Sequence, residues 1–425
     1  MVDGPDAAVG SEADVVVADA VDPNDPNHLF VVAQGALPTV ALEPQLYWHT
    51  QDWGQTWSEP QLMGFIDNTP AGAAGDPVVA AGPVGTVLFG TLAVMVEGDP
   101  ATLTAANGTI TAHIGTRVST DHGQTFTSFG TADRVVITGP TEENIDKEWL
   151  AIDTSDGPLR GSAYLAWVHF RPDRSTDLLF ATSRDGGTNF STPLVLDHRA
   201  ADQVAEELEE YVQIVVRPDS TVDAVWNSIR DGAPVVLHAS STDGGASFSG
   251  PVPIVRHDPG ASTVGMVLSL AVSPQGRLGL CWPQSRPGPA FVPRVLCQQT
   301  DVQGRWGQVE PLLQGDQSRQ YLPAATFQGE TLWVATYVSD TATTRVVAAP
   351  YSTPGFDVPV ALAEWPVPDE RICAPHPPDC TEGQTFIGDY IGAVATPSQI
   401  VVIAVEPVTD GGHNKLVVLR LPING

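Results

Sequence analysis

The sequence has few basic residues, few cysteines and no long apolar run. Its 425 residues include 20 lysines and arginines against 50 aspartates and glutamates, and only Lys147 and Lys415 are lysines. The resulting charge of −30 opposes association with nucleic acid or anionic membranes and favours a monomer. No run of 18 apolar residues is present, so we expect no membrane insertion.

The four cysteines form two local pairs. Cys281 and Cys297 lie in short apolar runs joined by a segment rich in proline and glycine, and Cys373 and Cys380 bracket a loop with three prolines. We therefore predict the disulfides Cys281–Cys297 and Cys373–Cys380, which are typical of secreted, extracellular or periplasmic proteins. The N-terminal segment lacks a basic region followed by an apolar one, so we expect that a signal peptide has already been removed.

Helical signals are scarce, whereas one octapeptide pattern occurs four times. Forty glycines and 37 prolines separate short runs of valine, isoleucine and leucine, which is an all-β pattern. The octapeptides are TQDWGQTW, STDHGQTF, SRDGGTNF and STDGGASF, beginning at Thr50, Ser119, Ser183 and Ser241. In each, the aspartate can accept backbone N–H groups, the glycine two residues later can adopt positive φ, and the final aromatic ring can pack beneath the turn. The pattern therefore predicts a fastened hairpin turn and not a catalytic motif.

This octapeptide resembles the Asp box, or BNR repeat, of the sialidase-like β-propellers, particularly secreted bacterial members. The residues at its aspartate position are Asp52, Asp121, Asp185 and Asp243, at spacings of 69, 64 and 58 residues. The resemblance implies a single β-propeller domain over residues 1–425. Counting the apolar runs gives seven four-stranded antiparallel blades, whereas sialidases have six, which is the alternative. The predicted blades are 11–66, 75–138, 146–197, 210–256, 265–314, 320–365 and 387–423.

The resemblance also implies that ligands bind over the central channel, on the face opposite the Asp boxes. The sequence places carboxylates, arginines and aromatic residues in the segments expected there. From them we predict a catalytic site comprising Asp146, Glu148, His169, Tyr211, Arg230 and Asp389. Tryptophans in the same segments suit a sugar ring, although such residues more simply belong to the core.

Sialidase activity itself is not expected. The F/Y-R-I-P motif is missing, no arginine precedes Arg117, and Glu210 and Tyr211 are adjacent, so they would point to opposite sides of a strand. We predict instead a carbohydrate-active enzyme, most simply a glycoside hydrolase using two carboxylates, Glu210 being a further candidate.

Three alternatives remain open at the level of the sequence. A polysaccharide lyase would use His169 and Tyr211 as base and acid, with Arg230 neutralising a uronate. A propeller without catalytic activity would bind a carbohydrate, a cell-surface glycan or a protein through the same face, and a third reading is a structural domain of a larger protein. The crowded carboxylates also make calcium a possible cofactor.

Overall fold

The computed structural model describes residues 21–22, 25–34, 45–63, 74–97, 109–137, 143–201, 211–231, 233–257, 267–285, 292–315, 318–352, 355–373, 384–388, 390–407 and 415–423. Within these residues, strands are the only long elements, and short 3-10 turns occur at Pro83–Gly85 and Asp369–Arg371. No helix in the described part of the chain is long and apolar enough to cross a bilayer.

The first four blades are antiparallel sheets whose strands pair in chain order. Blade one contains β1 Val21–Asp22, β2 Asp25–Gln34, β3 Gln45–Thr50 and β4 Gln61–Leu62. Blade two contains β5 Ala74–Ala81, β6 Val87–Glu97, β7 Thr109–Ser119 and β8 Ser128–Ile137. Blade three contains β9 Asn144–Ile152, β10 Ala163–Phe170, β11 Thr176–Ser183 and β12 Leu194–Arg199. Blade four contains β13 Val212–Val216, β14 Val222–Arg230, β15 Ala233–Ser241 and β16 Val252–Arg256.

The last three blades follow the same order. Blade five contains β17 Ser269–Val272, β18 Leu278–Ser285, β19 Pro293–Gln299 and β20 Glu310–Pro311. Blade six contains β21 Arg319–Gln328, β22 Thr331–Ser339, β23 Thr344–Pro350 and β24 Val360–Trp365. A parallel pair, β25 Ile372–Cys373 with β26 Thr385–Phe386, precedes blade seven. Blade seven contains β27 Gly392–Ala395, β28 Gln399–Glu406 and β29 Lys415–Pro422.

These sheets form a seven-bladed β-propeller, as predicted, so the six-bladed alternative does not hold. The first strands of blades two to seven are neighbours around a central channel. Middle strands are buried on both faces between adjacent blades, as every residue of β11 shows. The described part of blade seven has three strands.

Each octapeptide forms the turn after the third strand of its blade, and the four turns share one set of hydrogen bonds. In the second, Asp121 accepts hydrogen bonds from the Ser119 hydroxyl (2.7 Å), the Thr125 N–H (2.9 Å) and the Thr125 hydroxyl (2.6 Å). Asp52, Asp185 and Asp243 accept the corresponding bonds. The predicted fastening role is therefore confirmed in all four.

The glycine and the aromatic residue of the octapeptide also behave as predicted. Gly123 has φ +75°, and the Gly187 and Gly245 equivalents are also positive. Phe126 of blade two packs edge-on against Tyr47 of blade one at 5.0 Å. Phe248 of blade four likewise packs against Phe180 of blade three at 4.8 Å. These two turns therefore close their own hairpins and join them to the preceding blades.

The fifth turn, TDVQGRW, keeps this chemistry in degenerate form. Asp301 accepts hydrogen bonds from the N–H groups of Gln303 (2.9 Å) and Arg305 (3.0 Å) and from Arg305 Nε (2.8 Å). Here the arginine side chain replaces the threonine or serine hydroxyl of the intact octapeptides. Trp306 packs edge-on against His238 of blade four at 5.7 Å. The fifth turn has therefore lost the octapeptide sequence but keeps the hydrogen bonds that fasten the turn.

Asp121→Ala should lower the free energy of unfolding by about 1–3 kcal/mol, because turn N–H and hydroxyl donors lose their acceptor. Burial opposes ionisation, but hydrogen bonds from Thr125 and Ser119 outweigh it and lower the pKa of Asp121 to about 2. The stabilising contribution is therefore present above the unfolded pKa of about 4 and is lost as the pH falls towards 2. Urea unfolding at several pH values should show the difference from wild type closing over this interval. An equal loss in the exposed control Glu59→Ala would contradict this role.

The predicted disulfide between Cys281 and Cys297 is confirmed. The two residues are direct partners across β18 and β19, with a Cα–Cα distance of 4.1 Å. They close a loop with a sequence separation of 16 residues, for which the chain-entropy relation gives about 3 kcal/mol. Cys373 is buried, and Cys380 lies outside the described residues, so their pairing stays a prediction.

Candidate active site at the channel mouth

The channel mouth on the face opposite the octapeptide turns is formed by the beginnings of the first strands. Because each blade is an antiparallel meander, these strand starts, the loops between second and third strands and the links between blades all lie on this face. Three carboxylates meet there: Asp76 at the start of β5 and Asp146 and Glu148 on β9. Carboxylate oxygens of the three lie within 4.8 Å of one another.

Bulges in two strands explain why these side chains converge. In β9, Asp146 pairs with Val168 and Trp149 with Ala166, so Lys147 and Glu148 together face the single residue Trp167. A regular strand would direct Lys147 away from Asp146 and Glu148, whereas a bulge aims successive side chains to one side. Lys147 accordingly has φ +57°, in the left-handed region that costs energy for residues other than glycine.

β5 and β21 have the same irregularity at the same level of the channel. The register of β5 shifts between Gly75 and Val78, where Asp76 has φ +44°. The register of β21 shifts between Tyr321 and Ala324, where Leu322 has φ +54°. Three non-glycine residues are thus held in unfavourable backbone conformations around one mouth. Such strain persists only where the surrounding structure enforces it, and it is concentrated at functional sites.

The carboxylates surround one ammonium group. Lys147 Nζ lies 3.1 Å from Asp76 Oδ2, and both side chains are largely buried. It also lies 5.5 Å from the centroid of the Tyr211 ring, a cation–π distance. Burial alone would lower the pKa of Lys147, but Asp76 and Asp146 raise it well above its usual value. The mouth therefore holds a permanent cation facing three acidic groups.

Glu148 and Asp146 are acids whose ionisation is opposed. Glu148 is 1 % exposed, and neither carboxylate oxygen accepts a hydrogen bond from another described residue. Burial, together with the Asp76 charge, raises its pKa well above the usual value. Asp146 is half-buried, and its Oδ1 accepts a hydrogen bond from the Lys147 N–H at 2.8 Å. Burial and Asp76 raise its pKa to about 7, against the opposing effect of Lys147.

Aromatic rings form the floor beneath the charged groups. Tyr390 packs edge-on against Tyr211 with centroids 6.0 Å apart and lies 6.3 Å from Trp149. Further along the axis, a cavity of about 300 Å³ is lined mainly by apolar residues of the first strands. This floor lowers the local dielectric constant, which strengthens every electrostatic interaction at the mouth.

The structure brings together three of the predicted site residues: Asp146, Glu148 and Tyr211. Asp76 and Lys147 were not predicted as site residues. Asp76 directly precedes a proline at a strand start, and Lys147 stands between two acidic residues on a strand where alternation would turn it away. Tyr390, the neighbour of the predicted residue Asp389, was not predicted either, and Asp389 itself lies outside the described residues.

His169 lies one strand further out, on β10. Its Nε2 is 2.8 Å from Glu143 Oε1, and its Nδ1 is 3.3 Å from Asp133 Oδ2. Burial would lower the pKa of His169, but these two carboxylates outweigh burial and raise it. Because both ring nitrogens lie beside these carboxylates, His169 has no free nitrogen to act as a general base on a substrate.

Arg230 lies at the end of β14, between blades three and four. It pairs with Asp197, and its Nη1 donates to the Ser228 hydroxyl at 2.7 Å. Asp197 also accepts a hydrogen bond from Trp226 Nε1 at 3.0 Å. Arg230 therefore joins two blades, and its contacts do not include the Lys147 cluster.

The tryptophans of this face are core residues. Trp167, Trp226 and Trp282 are each at most 2 % exposed, as is Tyr337. Trp167 Nε1 donates to Asp133 of the preceding blade at 2.8 Å, as Trp226 does to Asp197. They hold neighbouring blades together and present no ring to a sugar; only Trp149 is half-buried.

The carboxylate cluster meets part of the requirement for calcium. Its three members could supply several of the six to eight oxygen ligands that calcium takes. The Lys147 ammonium, however, already pairs with Asp76 and competes with any cation for the same oxygens. Calcium binding stays a prediction, which the effect of a chelator on the melting temperature would test.

Comparison with known proteins shows the fold. No protein-family model matches the sequence, and no curated protein matches it. A protein of unknown function from Dyadobacter fermentans DSM 18053 superposes with a TM-score of 0.52 at 14% identity, over 100% of this chain and 98% of that one. An ulvan lyase of the polysaccharide lyase family PL25 superposes with a TM-score of 0.57 at 12% identity, over 99% and 95% of the two chains. A second structure of that lyase, bound to -[GlcA(1-4)Rha3S]-, gives the same values.

Proposed function

We propose that the protein is a secreted carbohydrate-active enzyme that hydrolyses glycosidic bonds at the channel mouth. The observation that carries the proposal is the half-buried Asp146, whose pKa is raised to about 7 beside the buried carboxylates of Asp76 and Glu148. An acid with a pKa near the working pH is suited to donate a proton to a leaving oxygen. Paired carboxylates are also the usual machinery of glycoside hydrolysis.

Each group of the cluster has a distinct role in this proposal. Asp146 is the general acid, because it is the carboxyl with solvent access. Asp76 is the second carboxylate: it pairs with Lys147, and its charge opposes the ionisation of Asp146. Glu148 is buried, and burial raises its pKa well above the usual value, so it lies beside them as a neutral carboxyl group. Lys147 pairs with Asp76 and orients it, and the ammonium compensates negative charge that develops when the acid gives up its proton.

Hydrolysis fits the mouth better than β-elimination of a uronate. Three carboxylates face one ammonium there, which disfavours a substrate that itself carries a carboxylate at the reacting sugar. His169 and Arg230, the groups that a lyase would use, are paired with Glu143 and Asp197. The ulvan lyase with this fold acts on a polysaccharide, as its name states, so elimination is kept as an outcome of the assay.

Secretion rests on the disulfide between Cys281 and Cys297. Such bonds persist in oxidising compartments, where polysaccharides are also encountered. The formal charge of −30 argues against polyanionic substrates, because long-range repulsion slows their approach. We therefore propose a neutral glycan as the substrate.

A panel of neutral and uronate-containing polysaccharides should distinguish the possible reactions. We expect new reducing ends from a neutral polysaccharide without the absorbance of an unsaturated uronate. Appearance of that absorbance would replace hydrolysis with β-elimination. Binding to a polysaccharide without any cleavage would instead support a non-catalytic propeller that grips a glycan.

A further inference from the structure

The bulge that carries Asp76 is not held by its own strand alone. The register of β5 shifts so that Asp76 and Pro77 together face the single residue Thr91 on β6. Asp76 has φ +44°, an unfavourable conformation for a residue other than glycine. Pro77 has no N–H group to donate to β6. The bulge therefore needs a constraint from outside the β5–β6 ladder to keep Asp76 in one direction.

A glutamine of blade one supplies this constraint. Gln45, at the start of β3, is 2 % exposed. Its Nε2 donates to the Gly75 carbonyl at 2.8 Å, and its Oε1 accepts from the Thr91 hydroxyl at 2.7 Å. The Gln45 amide thus joins the residue before the bulge to the residue opposite it. Because the peptide group is planar, fixing the Gly75 carbonyl also fixes the backbone nitrogen of Asp76.

The residue opposite each of the other two bulges at the mouth is also held by a side-chain hydrogen bond. In β21, the Thr336 hydroxyl lies opposite the bulge and donates at 2.8 Å to the carbonyl of Tyr321, the residue before it. In β9, Trp167 lies opposite the bulge, and its Nε1 donates to Asp133 at 2.8 Å. Gln45 and Asp133 both belong to the preceding blade. The two bulges that present charged residues are therefore the two that a neighbouring blade holds.

The direction of Asp76 matters because it acts on the site through distance. Its Oδ2 lies 3.1 Å from Lys147 Nζ, and this ion pair connects blade two to blade three. The Asp76 charge also opposes the ionisation of Asp146. Both interactions weaken as the charges separate. A rotation of the peptide group between Gly75 and Asp76 would therefore alter the ion pair and the acid together.

We propose that Gln45 and Thr91 are positioning residues, which fix the direction of Asp76 and with it the ion pair to Lys147 at the channel mouth. They act through the backbone of the bulge, by way of the Gly75 carbonyl. Their effect on glycan cleavage rests on the function proposed above, whereas their effect on Lys147 does not. The two effects can therefore be measured separately.

The test is trace acetylation at mildly alkaline pH, read by mass spectrometry. The sequence has only two lysines, and the exposed Lys415 is an internal reference for Lys147. Thr91→Val keeps the branched shape and removes the hydroxyl, and Gln45→Met keeps the length and removes both hydrogen bonds. In each variant the rate at Lys147 relative to Lys415 should rise about threefold to tenfold, the equivalent of one lost hydrogen bond. Thr91→Ser retains the hydroxyl and should keep the wild-type ratio.

Thr116→Val is the matched control. The Thr116 side chain is buried near the octapeptide turns, and its hydroxyl donates to the Gly187 carbonyl of the next blade at 2.6 Å. The control therefore loses the same group and the same kind of contact between blades, but far from the mouth. Its melting temperature should fall as that of Thr91→Val does, whereas its acetylation ratio should match wild type.

Kinetics provide the second measurement. On a polysaccharide that wild type cleaves, Thr91→Val should lower kcat about tenfold and leave KM nearly unchanged, because orientation of the acid matters in the transition state. If wild type cleaves no polysaccharide, the proposed function is wrong, and the acetylation ratio still decides the positioning role. If folded Thr91→Val and Gln45→Met keep the wild-type ratio, or if Thr116→Val raises it equally, Gln45 and Thr91 do not position Asp76.

Discussion

Asp146→Asn should reduce the rate of glycan cleavage by about 10²–10⁴-fold, the usual contribution of a general acid. The amide retains the shape of the side chain but cannot donate the proton. Stability should be preserved or increased at neutral pH, because a carboxylate is removed from a buried group of like charges. The measurement is the initial rate on whichever polysaccharide the wild-type enzyme cleaves, together with the melting temperature.

Asp156→Asn is the matched control for this experiment. Asp156 is fully exposed on the opposite face and pairs only with Arg160, so its replacement should change neither rate nor stability. Unchanged activity of Asp146→Asn would show that the mouth cluster is not catalytic, whereas equal losses in both variants would indicate a general effect on the protein.

The direction in which the reaction rate changes with pH is an independent test of Asp146. A group that must be protonated, with a pKa of about 7, makes the wild-type rate fall as the pH rises through 7. Its raised pKa also contributes stability that is present below about pH 4 and is lost as the pH rises towards 7. Asp146→Asn should remove this dependence of the melting temperature. A rate that instead rises through pH 7 would assign the residue as a base.

Lys147→Ala should lower the free energy of unfolding by about 3–5 kcal/mol at neutral pH, the cost of removing one partner from a buried ion pair. It leaves Asp76, Asp146 and Glu148 together without their cation. Lowering the pH should recover part of the loss, because protonation removes the uncompensated charges. Chemical denaturation at neutral and acidic pH would measure both effects.

The only other lysine provides the control. Lys415 is exposed at the beginning of β29, and Lys415→Ala should stay within about 0.5 kcal/mol of wild type. The double variant Asp76→Asn/Lys147→Met should be less destabilised than Lys147→Ala, since it removes both members of the pair. A double variant as unstable as the single one would mean that Lys147 acts through packing and not through its charge.

The fold was predictable because the residues that stabilise its turns lie close together in the sequence. An aspartate, a hydroxyl residue, a glycine and an aromatic ring within eight residues specify a turn by themselves, and the repetition of Asp52, Asp121, Asp185 and Asp243 specifies the architecture. Apolar runs between these turns then give the strands. Cys281 and Cys297 were predictable for the same reason, since a short hairpin places them opposite each other.

The site was only partly predictable because its geometry depends on long-range and irregular features. Asp146 and Glu148 were visible as acidic residues at a strand start, but Asp76 joins them from another blade, 70 residues earlier in the sequence. The pairing of Lys147 with Asp76 requires a bulge that cannot be predicted from the residue types. Trp167 and Trp226 were instead considered as sugar-binding rings, although they belong to the core. Their hydrogen-bond partners Asp133 and Asp197 lie on the preceding blades, which the local sequence does not show.

The bulge in β9 also divides that strand into two segments that are out of phase by one residue. The inward and outward alternation of 149–152, counted back towards the N-terminus, assigns the wrong face to 144–146. The same phase error arises at Asp76 in β5 and at Leu322 in β21. If relatives were aligned or redesigned with one continuous strand alternation, their core residues would therefore be assigned to the correct face and their channel-mouth residues to the wrong face. Deleting one of the two bulged residues would leave Asp146 opposite Val168 and Trp149 opposite Ala166, so the mouth would keep its register and lose only the side chain of Lys147 or of Glu148.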